Sequence, residues 1–318
     1  MREILVTEHE AGQRLDRLLR KLLKSLPLAA IFKHVRNGTI RVDGKKVAGD
    51  LRLQPGMRVL LNLPAADVRA AQAVVAPLPP PPATGQANAP KPAIVRGPEP
   101  RIVHRDEHVL VVAKPAGLAV HGGSGQKASL VDWLAAQPFG IRTGTFKPAA
   151  AHRLDRGTSG LLAIGLTPAG LRGLTAAFRD GTAHKTYWAI VHGTPTPAVG
   201  SVVAPLLEQP GGDRRDPKVV VDPQGRPART DYEVVRTVRH MTLVKVLPQQ
   251  GRQHQIRVHL AHLGHPIVGD ARYGSRADLG PVFLLHAGEL ELPHPVTGRT
   301  LRANDPLPAM FHGMLAEG

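Results

Sequence analysis

The stretch that decides the fold is residues 151–167, which read AHRLDRGTSGLLAIGLT. Its last part is a short apolar run that follows a glycine-bounded turn, and this pattern predicts a buried β-strand. If residues 151–155 are extended, alternation places Arg153 and Asp155 on one face and directs Leu154 into the core. Asp155 is therefore expected at the end of a strand, beside a polar turn and between two arginines. An ion pair that braces a loop and a catalytic carboxylate both remain open.

Signals for further strands and a helix precede this stretch. Residues 101–113 predict a strand, a turn around Asp106-Glu107 and a buried strand, which the KPAG segment at 114–117 ends. A glycine-rich loop follows at Val120–Gly125, and Leu130–Ala136 predicts a helix. The loop lacks the Gly-Lys-Ser/Thr of a phosphate-binding loop. An ordinary loop and a loop that grips a substrate both remain open.

The composition favours a folded protein with a polyanionic partner. Hydrophobic residues form 42% of the 318, which is enough for a core, and 41 Lys+Arg against 25 Asp+Glu give a formal charge of +16. This surplus favours nucleic acid or an acidic membrane, although an arginine-rich genome would also produce it. No apolar run approaches the roughly 20 residues of a membrane span, and the N-terminus lacks the apolar core of a signal peptide. We therefore expect a cytoplasmic protein that binds nucleic acid and no membrane.

The N-terminal residues carry a separate basic pattern. Leucines at helical spacing predict a helix over Arg14–Lys24, and a second helix is expected over Leu28–Arg36. Asp43-Gly44 predicts the turn of a hairpin over Thr39–Val47. The order of these elements, through RLDRLLRKLL and FKHVRNGTIRVDGKKV, resembles the S4 RNA-binding domain. The cations predicted to contact RNA phosphates are Arg14, Arg17, Lys21, Lys33, Arg36 and Lys45.

A composition change divides the chain. Residues 64–100 are rich in proline and alanine and show no periodicity, which is typical of an extended linker. The predicted domains are therefore an S4-like RNA-binding domain at 1–63, this linker at 64–100, and a large domain at 101–318. A module of the S4 type would position RNA without choosing a base.

Two more segments direct polar side chains toward the region of Asp155. Alternation over residues 184–191 places Lys185 and Tyr187 on one strand face, so Tyr187 can face the same pocket, where its ring would stack on a base. Apolar residues at helical spacing predict a helix from Gln253 to Leu263. Arg257 lies one position away from the apolar stripe of this helix, at the edge of the pocket.

These motifs together resemble the ribosomal pseudouridine synthases of the RluA, RluC and RluD types. HRLDRGTSG at 152–160 matches the family signature HRLDxxTSG. KPAG and AVHGGSG precede it, and HKTYWAIVHG (184–193), RPARTDYEVV (226–235) and GRQHQIRVHLAHLGHPIVGDARYG (251–274) follow in the family order. The resemblance covers residues 101 to about 295 and the N-terminal module. AVHGGSG and the S4-like module are most similar to the RluC type.

The resemblance implies a role for each matched residue. Asp155 is the catalytic carboxylate, Arg257 pairs with it, and Tyr187 contacts the target base and is a candidate general base. The further RNA contacts in the catalytic domain are expected at Arg153, Arg252 and His254. Gln250 stands where the family often has threonine, so that contact is not carried over.

The implied reaction is the isomerisation of uridine to pseudouridine, in which the N1–C1′ bond breaks and C5 of the uracil then bonds to C1′. Attack of Asp155 on C1′, attack on C6, and abstraction of the 2′ proton all remain open. The reaction requires no cofactor, and we predict none. We also predict no metal site, because the chain has no cysteine and its histidines at 254, 259, 262 and 265 lack the HExxH spacing.

The predicted fold is α+β, with a pseudouridine synthase domain on a mixed, largely antiparallel sheet and a small α/β S4-like domain. The predicted partner is large-subunit (23S) ribosomal RNA or its precursor particle, and a monomer is expected. Two alternatives remain open, namely a transfer RNA substrate and a non-catalytic RNA-binding factor in ribosome assembly. The joint presence of Asp155, Tyr187 and Arg257 favours an enzyme, since a degenerate relative would be expected to lose one of them.

Overall fold

The computed structural model describes residues 2–6, 10–23, 26–64, 99–122, 129–137, 146–209 and 218–316. The chain divides into two compact units, Met1–Ala93 with Gly140–Lys147 and Ile94–Phe139 with Pro148–Gly318. Residues 65–98 of the predicted linker, residues 123–125 of the glycine-rich loop and Lys24 lie outside the described residues. Within the described residues, no helix is long and apolar enough to cross a bilayer.

The small unit packs two helices on a three-stranded antiparallel sheet. Its elements are β1 (Arg2–Leu5), α1 (Leu15–Leu22), α2 (Leu28–Asn37), β2 (Ile40–Val42) and β3 (Arg58–Leu61). The strand order is β1-β3-β2. Both predicted helices are confirmed, because Leu15, Leu18 and Leu19 of α1 are fully buried and α2 ends at Gly38, whose φ of 73° suits a helix end.

The hairpin predicted over Thr39–Val47 is only partly right. Asp43-Gly44 forms the turn, with φ of 48° and 74°, and Val42 and Lys45 exchange backbone hydrogen bonds of 3.0 and 2.9 Å. The strand β2 does not pair further along this hairpin and pairs instead with β3, where Val42 lies opposite Val59. The two lysines after the turn offer no apolar face to the core, whereas β3 buries Val59.

The large unit is built on a ten-stranded mixed sheet. Its order is β4-β5-β7-β14-β8-β13-β12-β9, with β6 on β7 and β15 on β14. The strands are β4 (Arg101–Arg105), β5 (Val109–Lys114), β6 (Ala149–Ala150), β7 (Ser159–Gly165), β8 (His184–His192), β9 (Val199–Val203), β12 (Arg229–Val238), β13 (Met241–Pro248), β14 (Leu285–Pro293) and β15 (Thr300–Asn304). The pairing between β7 and β14 is parallel, and the other described pairings are antiparallel. A separate two-stranded sheet joins β10 (Leu206–Glu208) and β11 (Val219–Val221).

Helices cover both faces of this sheet. They are α3 (Leu130–Ala136), α4 (Pro168–Arg179), α5 (Gln255–His262) and α6 (Ala309–Ala316). Alternate residues of β5 and β7 point to two cores, one that includes α3, α5 and α6 and one that includes α4. The predicted strands at 101–113, the buried strand after GTSG and the helix Leu130–Ala136 are confirmed.

Residues 151–155 are not the strand that alternation predicted. The strand β6 ends at Ala150, although the Ala151 N–H still donates to the Ala163 carbonyl at 2.9 Å. The Ala163 N–H is then accepted by the imidazole Nε2 of His152 at 3.0 Å, so a side chain stands where a backbone carbonyl would continue the pairing. The chain therefore leaves the sheet at this point. Leu154 is buried as predicted, with 6% exposed, but Asp155 lies in a loop four residues before β7 and not at a strand end.

Candidate active site

A buried arginine joins two carboxylates on the face of the sheet that α5 covers. Arg257 Nη1 donates to Asp155 Oδ2 at 3.0 Å, while Nε and Nη2 donate to the two oxygens of Asp270 at 2.7 and 2.9 Å. Arg257 is 6% exposed and Asp270 is 2% exposed. The structure thus brings together the predicted pair Asp155 and Arg257, and it adds Asp270 to them.

Local structure fixes the position of Arg257. Helix α5 begins just after His254, which has a φ of 54° and allows a sharp entry into the helix. Two aromatic rings lie against the guanidinium, with Arg257 Cζ 4.9 Å from the centroid of Tyr273 and 4.4 Å from that of Phe283. Gly157 permits this arrangement, because a Cβ there would lie 2.5 Å from the Phe283 ring.

The charges of this group favour an ionised site. Burial lowers the pKa of Arg257, but the hydrogen bonds to Asp270 and the charge of Asp155 outweigh burial and raise the pKa above its ordinary value. Arg257 is therefore a permanent cation between two carboxylates. Asp270 is bound at both oxygens, whereas Asp155 is held at Oδ2 alone, and no hydrogen bond from the described residues reaches its Oδ1. One oxygen of Asp155 is left to act as a nucleophile or a base.

Tyr187 lies on β8 in the same core region as Leu154 and is 7% exposed. Its strand neighbours are Val246 and Ala287. Burial and the negative charge of Asp155 both raise the pKa of Tyr187 above its ordinary value. The hydroxyl group is therefore protonated at neutral pH, and the predicted contact of Tyr187 with the target base and its candidate role as a general base stay predictions.

Lys114 ties the KPAG segment to the loop that carries Asp155. It is 1% exposed, and Nζ donates to the carbonyls of Pro115 (3.0 Å), Leu118 (2.9 Å) and Arg156 (3.3 Å). Burial lowers the pKa of Lys114 to about 7, against the opposing effect of Asp155. From the sequence, KPAG was interpreted as the end of a strand and as a family motif, but no role was assigned to Lys114 and this contact was missed.

Asp270, Tyr273 and Phe283 were also missed as site residues. Asp270 and Tyr273 lie within GDARYG, the last part of the family motif at 251–274. The available signal for Asp270 was an acidic residue in the same motif as Arg257. No sequence signal pointed to Phe283, since its contact with Arg257 arises only from the fold.

The three RNA contacts predicted for the large unit have different surroundings. Arg153 and Arg252 are exposed, and Arg252 Nε donates to the Pro227 carbonyl at 3.3 Å. His254 is only 6% exposed, its Nδ1 hydrogen bonds to the Tyr273 hydroxyl at 2.7 Å, and its Nε2 lies 3.8 Å from Asp155 Oδ2. His254 therefore lies beside Asp155, and its predicted contact with RNA stays a prediction.

The cations predicted in the small unit lie mainly on its surface. Arg17, Lys33, Arg36 and Lys45 are exposed. Arg14 is exposed but bonded to Asp16 at 3.0 Å, and Lys21 is partly buried and donates to Gln13 at 3.1 Å. Four of the six predicted cations therefore present an ammonium or guanidinium group to solvent without a carboxylate partner among the described residues.

The histidines near α5 serve the scaffold. His259 bonds to Thr230 Oγ1 at 2.8 Å and to the Ala204 carbonyl at 3.0 Å, and His265 bonds to the His192 carbonyl at 2.9 Å. In the described part of the chain, no group of three or more His, Asp or Glu side chains is arranged to hold a metal ion.

Comparison with known proteins agrees with this geometry. Residues 108–262 match the model of the RNA pseudouridylate synthase family. The ribosomal large subunit pseudouridine synthase C of Vibrio parahaemolyticus is 34% identical, covering 98% of this chain and 94% of that protein. The protein of the same name from Escherichia coli K12 is 35% identical over 96% of this chain and 92% of its own length. The structure of human RNA pseudouridylate synthase domain containing 4 superposes with a TM-score of 0.54 at 27% identity, covering 68% of this chain and 92% of that one.

Proposed function

The chain belongs to the RNA pseudouridylate synthase family, and we propose that it isomerises uridine to pseudouridine at specific positions of large-subunit (23S) ribosomal RNA in the cytoplasm. The relatives that match it over nearly their full length carry that substrate in their names. The observation that carries the proposal is Asp155, a carboxylate held at one oxygen by Arg257 and unbonded at the other within the described residues.

The target uridine must leave its stack before Asp155 can reach it. Base flipping costs a few kcal/mol, which contacts to the RNA backbone offset. Tyr187 is close enough to Asp155 for the carboxylate charge to raise its pKa, and it offers an aromatic ring on which the flipped uracil would stack. Exposed Arg153, two residues before Asp155, is our candidate for holding the RNA open.

Asp155 then acts as an ionised group, and its free Oδ1 is the atom that reacts. Attack on C1′, attack on C6 and removal of the 2′ proton all begin from a carboxylate. Arg257 stabilises that carboxylate, and it is itself held by Asp270 through two further hydrogen bonds. Once C5 has bonded to C1′, C5 loses its proton and N1 gains one, and the carboxylate of Asp155, released in that step, is our candidate for accepting the C5 proton. Burial and the charge of Asp155 raise the pKa of Tyr187, so its hydroxyl would remain protonated and donate a hydrogen bond to the uracil.

The small unit is proposed to hold the RNA. The resemblance to the S4 domain, two helices on a three-stranded sheet, and the exposed Arg17, Lys33, Arg36 and Lys45 support this role. Phosphate contacts of this kind supply salt-dependent affinity without base recognition. We also propose that the RNA-binding domain spans residues 1–63, the linker 64–100 and the catalytic domain 101–318, and that the protein acts as a monomer.

The proposal is tested by mapping pseudouridine in all cellular RNA from cells that carry Asp155→Asn in place of the natural gene. The asparagine side chain would keep the shape of the aspartate but lose its charge. We expect specific large-subunit rRNA positions to return to uridine while the protein still accumulates. Asp180→Asn, at an exposed carboxylate paired with Arg179, is the matched control and should leave these positions modified.

Other outcomes decide between the alternatives. Loss of pseudouridine from transfer RNA would support the assignment as a pseudouridine synthase and would refute ribosomal RNA as its substrate. No change at any position would overturn the catalytic proposal and favour an RNA-binding factor in ribosome assembly.

A further inference from the structure

Lys185 is a partly buried cation without a counter-charge. It lies on β8, and its Nζ stands 5.8 Å from the centroid of the Phe178 ring. Among the described residues, no carboxylate or other acceptor pairs with this ammonium group. Burial lowers its pKa, and no opposing partner offsets that burial. Removing an ammonium group from water without a partner costs free energy, so the position favours a ligand that supplies negative charge.

Three segments that lead to the candidate active site meet at Lys185. Lys185 precedes Tyr187 by two residues on the same strand, which places their Cα atoms roughly 6.6 Å apart. His152, which the charge of Lys185 influences, precedes Asp155 by three residues. Gly251 precedes α5 and Arg257, and a Cβ on it would lie 3.6 Å from Lys185 Nζ. Lys185 therefore lies on the strand that carries Tyr187, beside two chain segments that lead to Asp155 and to Arg257.

Gly251 leaves room for an approaching chain. Without a side chain, its backbone admits another backbone at close range. Its N–H donates to no described residue, so it is a second donor near Lys185 Nζ. Exposed Arg252 follows directly. One ammonium group and one amide N–H that donates to no described residue are thus close together, and no carboxylate of the described residues pairs with Lys185.

We propose that Lys185 and the Gly251 N–H bind a phosphodiester of the substrate RNA next to the flipped uridine. A phosphate oxygen accepts from both donors and carries the charge that Lys185 lacks. This contact would offset part of the cost of flipping. The inference rests on the proposed function, because it requires RNA in the Asp155 pocket.

The test measures kcat/KM on an unmodified transcript of large-subunit ribosomal RNA between 50 and 200 mM KCl. Each phosphate contact contributes about 0.7 to 0.9 to the slope of log(kcat/KM) against log[KCl]. For Lys185→Met, which keeps the packing on Phe178, we expect a slope less steep by about that amount and a KM raised several-fold. Lys185→Arg should restore the slope, and Lys185→Gln serves as a second neutral variant if the methionine variant does not fold.

Lys245→Met is the matched control. Lys245 also lies over an aromatic ring, with Nζ 5.9 Å from the centroid of Trp188, but it is on β13, and no hydrogen bond, ion pair or ring contact among the described residues joins it to Asp155, Tyr187 or Arg257. Its removal should leave the slope unchanged. An unchanged slope for Lys185→Met, an equal change for Lys245→Met, or an equal loss at every salt concentration would each overturn the inference. If the wild-type protein forms no pseudouridine, the proposed function itself fails, which this series separates from failure of the Lys185 contact.

Discussion

At the scale of single residues, the site depends on how Arg257 divides its N–H donors. Two donors go to Asp270, one goes to Asp155, and the Tyr273 and Phe283 rings restrict the guanidinium plane. A guanidinium that is bound bidentately at one edge has little freedom to turn. Asp270 is therefore a positioning residue, because it acts on Asp155 through Arg257.

Asp270→Asn tests this positioning. The amide offers one acceptor where the carboxylate offers two, so Arg257 would lose its bidentate partner and its fixed direction. We expect kcat to fall by about 10- to 100-fold with little change in KM, since misplacement of a catalytic group by about 1 Å has an effect of this order. Asp270→Glu should recover part of kcat. Asp278→Asn, at an exposed carboxylate, is the control, and an equal loss in Asp278→Asn or a change confined to KM would contradict the assignment.

At the scale of elements, the parallel pairing of β7 and β14 places the Asp155 loop beside Tyr187. Gly160 lies at that pairing with a φ of 109°, and a Cβ on it would lie 2.2 Å from the Ala287 carbonyl oxygen. Ala287 is also the β14 residue opposite Tyr187 on β8. Gly160 therefore permits the close strand contact that connects the two sides of the site.

Gly160→Ala should destabilise the protein by at least about 2 kcal/mol, because both the positive φ and the steric overlap oppose a side chain there. Urea unfolding of the full chain measures the effect. Gly313→Ala is the matched substitution within α6, where nothing lies within 4 Å of the added Cβ, and it should stabilise by up to about 1 kcal/mol. Equal unfolding midpoints for the two variants would contradict this account of β7 and β14.

The sequence could predict elements whose signals are local. Helices α1, α2 and α3 and the strands β5 and β7 follow from apolar periodicity and flanking turns. The partner of β2 could not be predicted, since β3 is distant in sequence and the local Asp43-Gly44 turn favoured a hairpin. The end of β6 depends on the His152 side chain replacing a backbone acceptor, which periodicity does not include.

In the candidate site, too, residues within a motif could be predicted from the sequence, whereas residues that act through contacts distant in sequence could not. The motif resemblance predicted Asp155, Tyr187 and Arg257 as site residues. In the structure Arg257 hydrogen bonds to Asp155, and Tyr187 lies in the core that includes Leu154, the residue before Asp155. Asp270 was missed because its importance comes from a contact with Arg257 and not from its own pattern. The raised pKa of Tyr187 follows from burial near Asp155, which a sequence does not show.

At the scale of the whole molecule, the charge of +16 is expected to act through particular surfaces and not through the total alone. Arg17 and Arg36 are exposed on the two helices of the small unit. Arg179 and Arg302 are also exposed, but Asp180 and Glu291 already hold them at 2.7 and 2.8 Å. These two pairs of arginines carry the same formal charge and differ in whether that charge is available to a phosphate.

Replacing both arginines of each pair by glutamine therefore distinguishes an effect of the total charge on RNA binding from an effect of where the charges lie. For Arg17→Gln with Arg36→Gln, we expect KM for large-subunit rRNA to rise and the salt slope to fall by about 1.4 to 1.8, with kcat unchanged, since two phosphate contacts are lost and no residue of the candidate active site is changed. Arg179→Gln with Arg302→Gln removes the same charge and should leave KM and the slope near the wild-type values. Equal effects of the two double variants would mean that net charge alone attracts the RNA, and the small unit would then have no special part in binding. An effect on kcat in the first variant would instead mean that the small unit influences the Asp155 site and does more than hold the substrate.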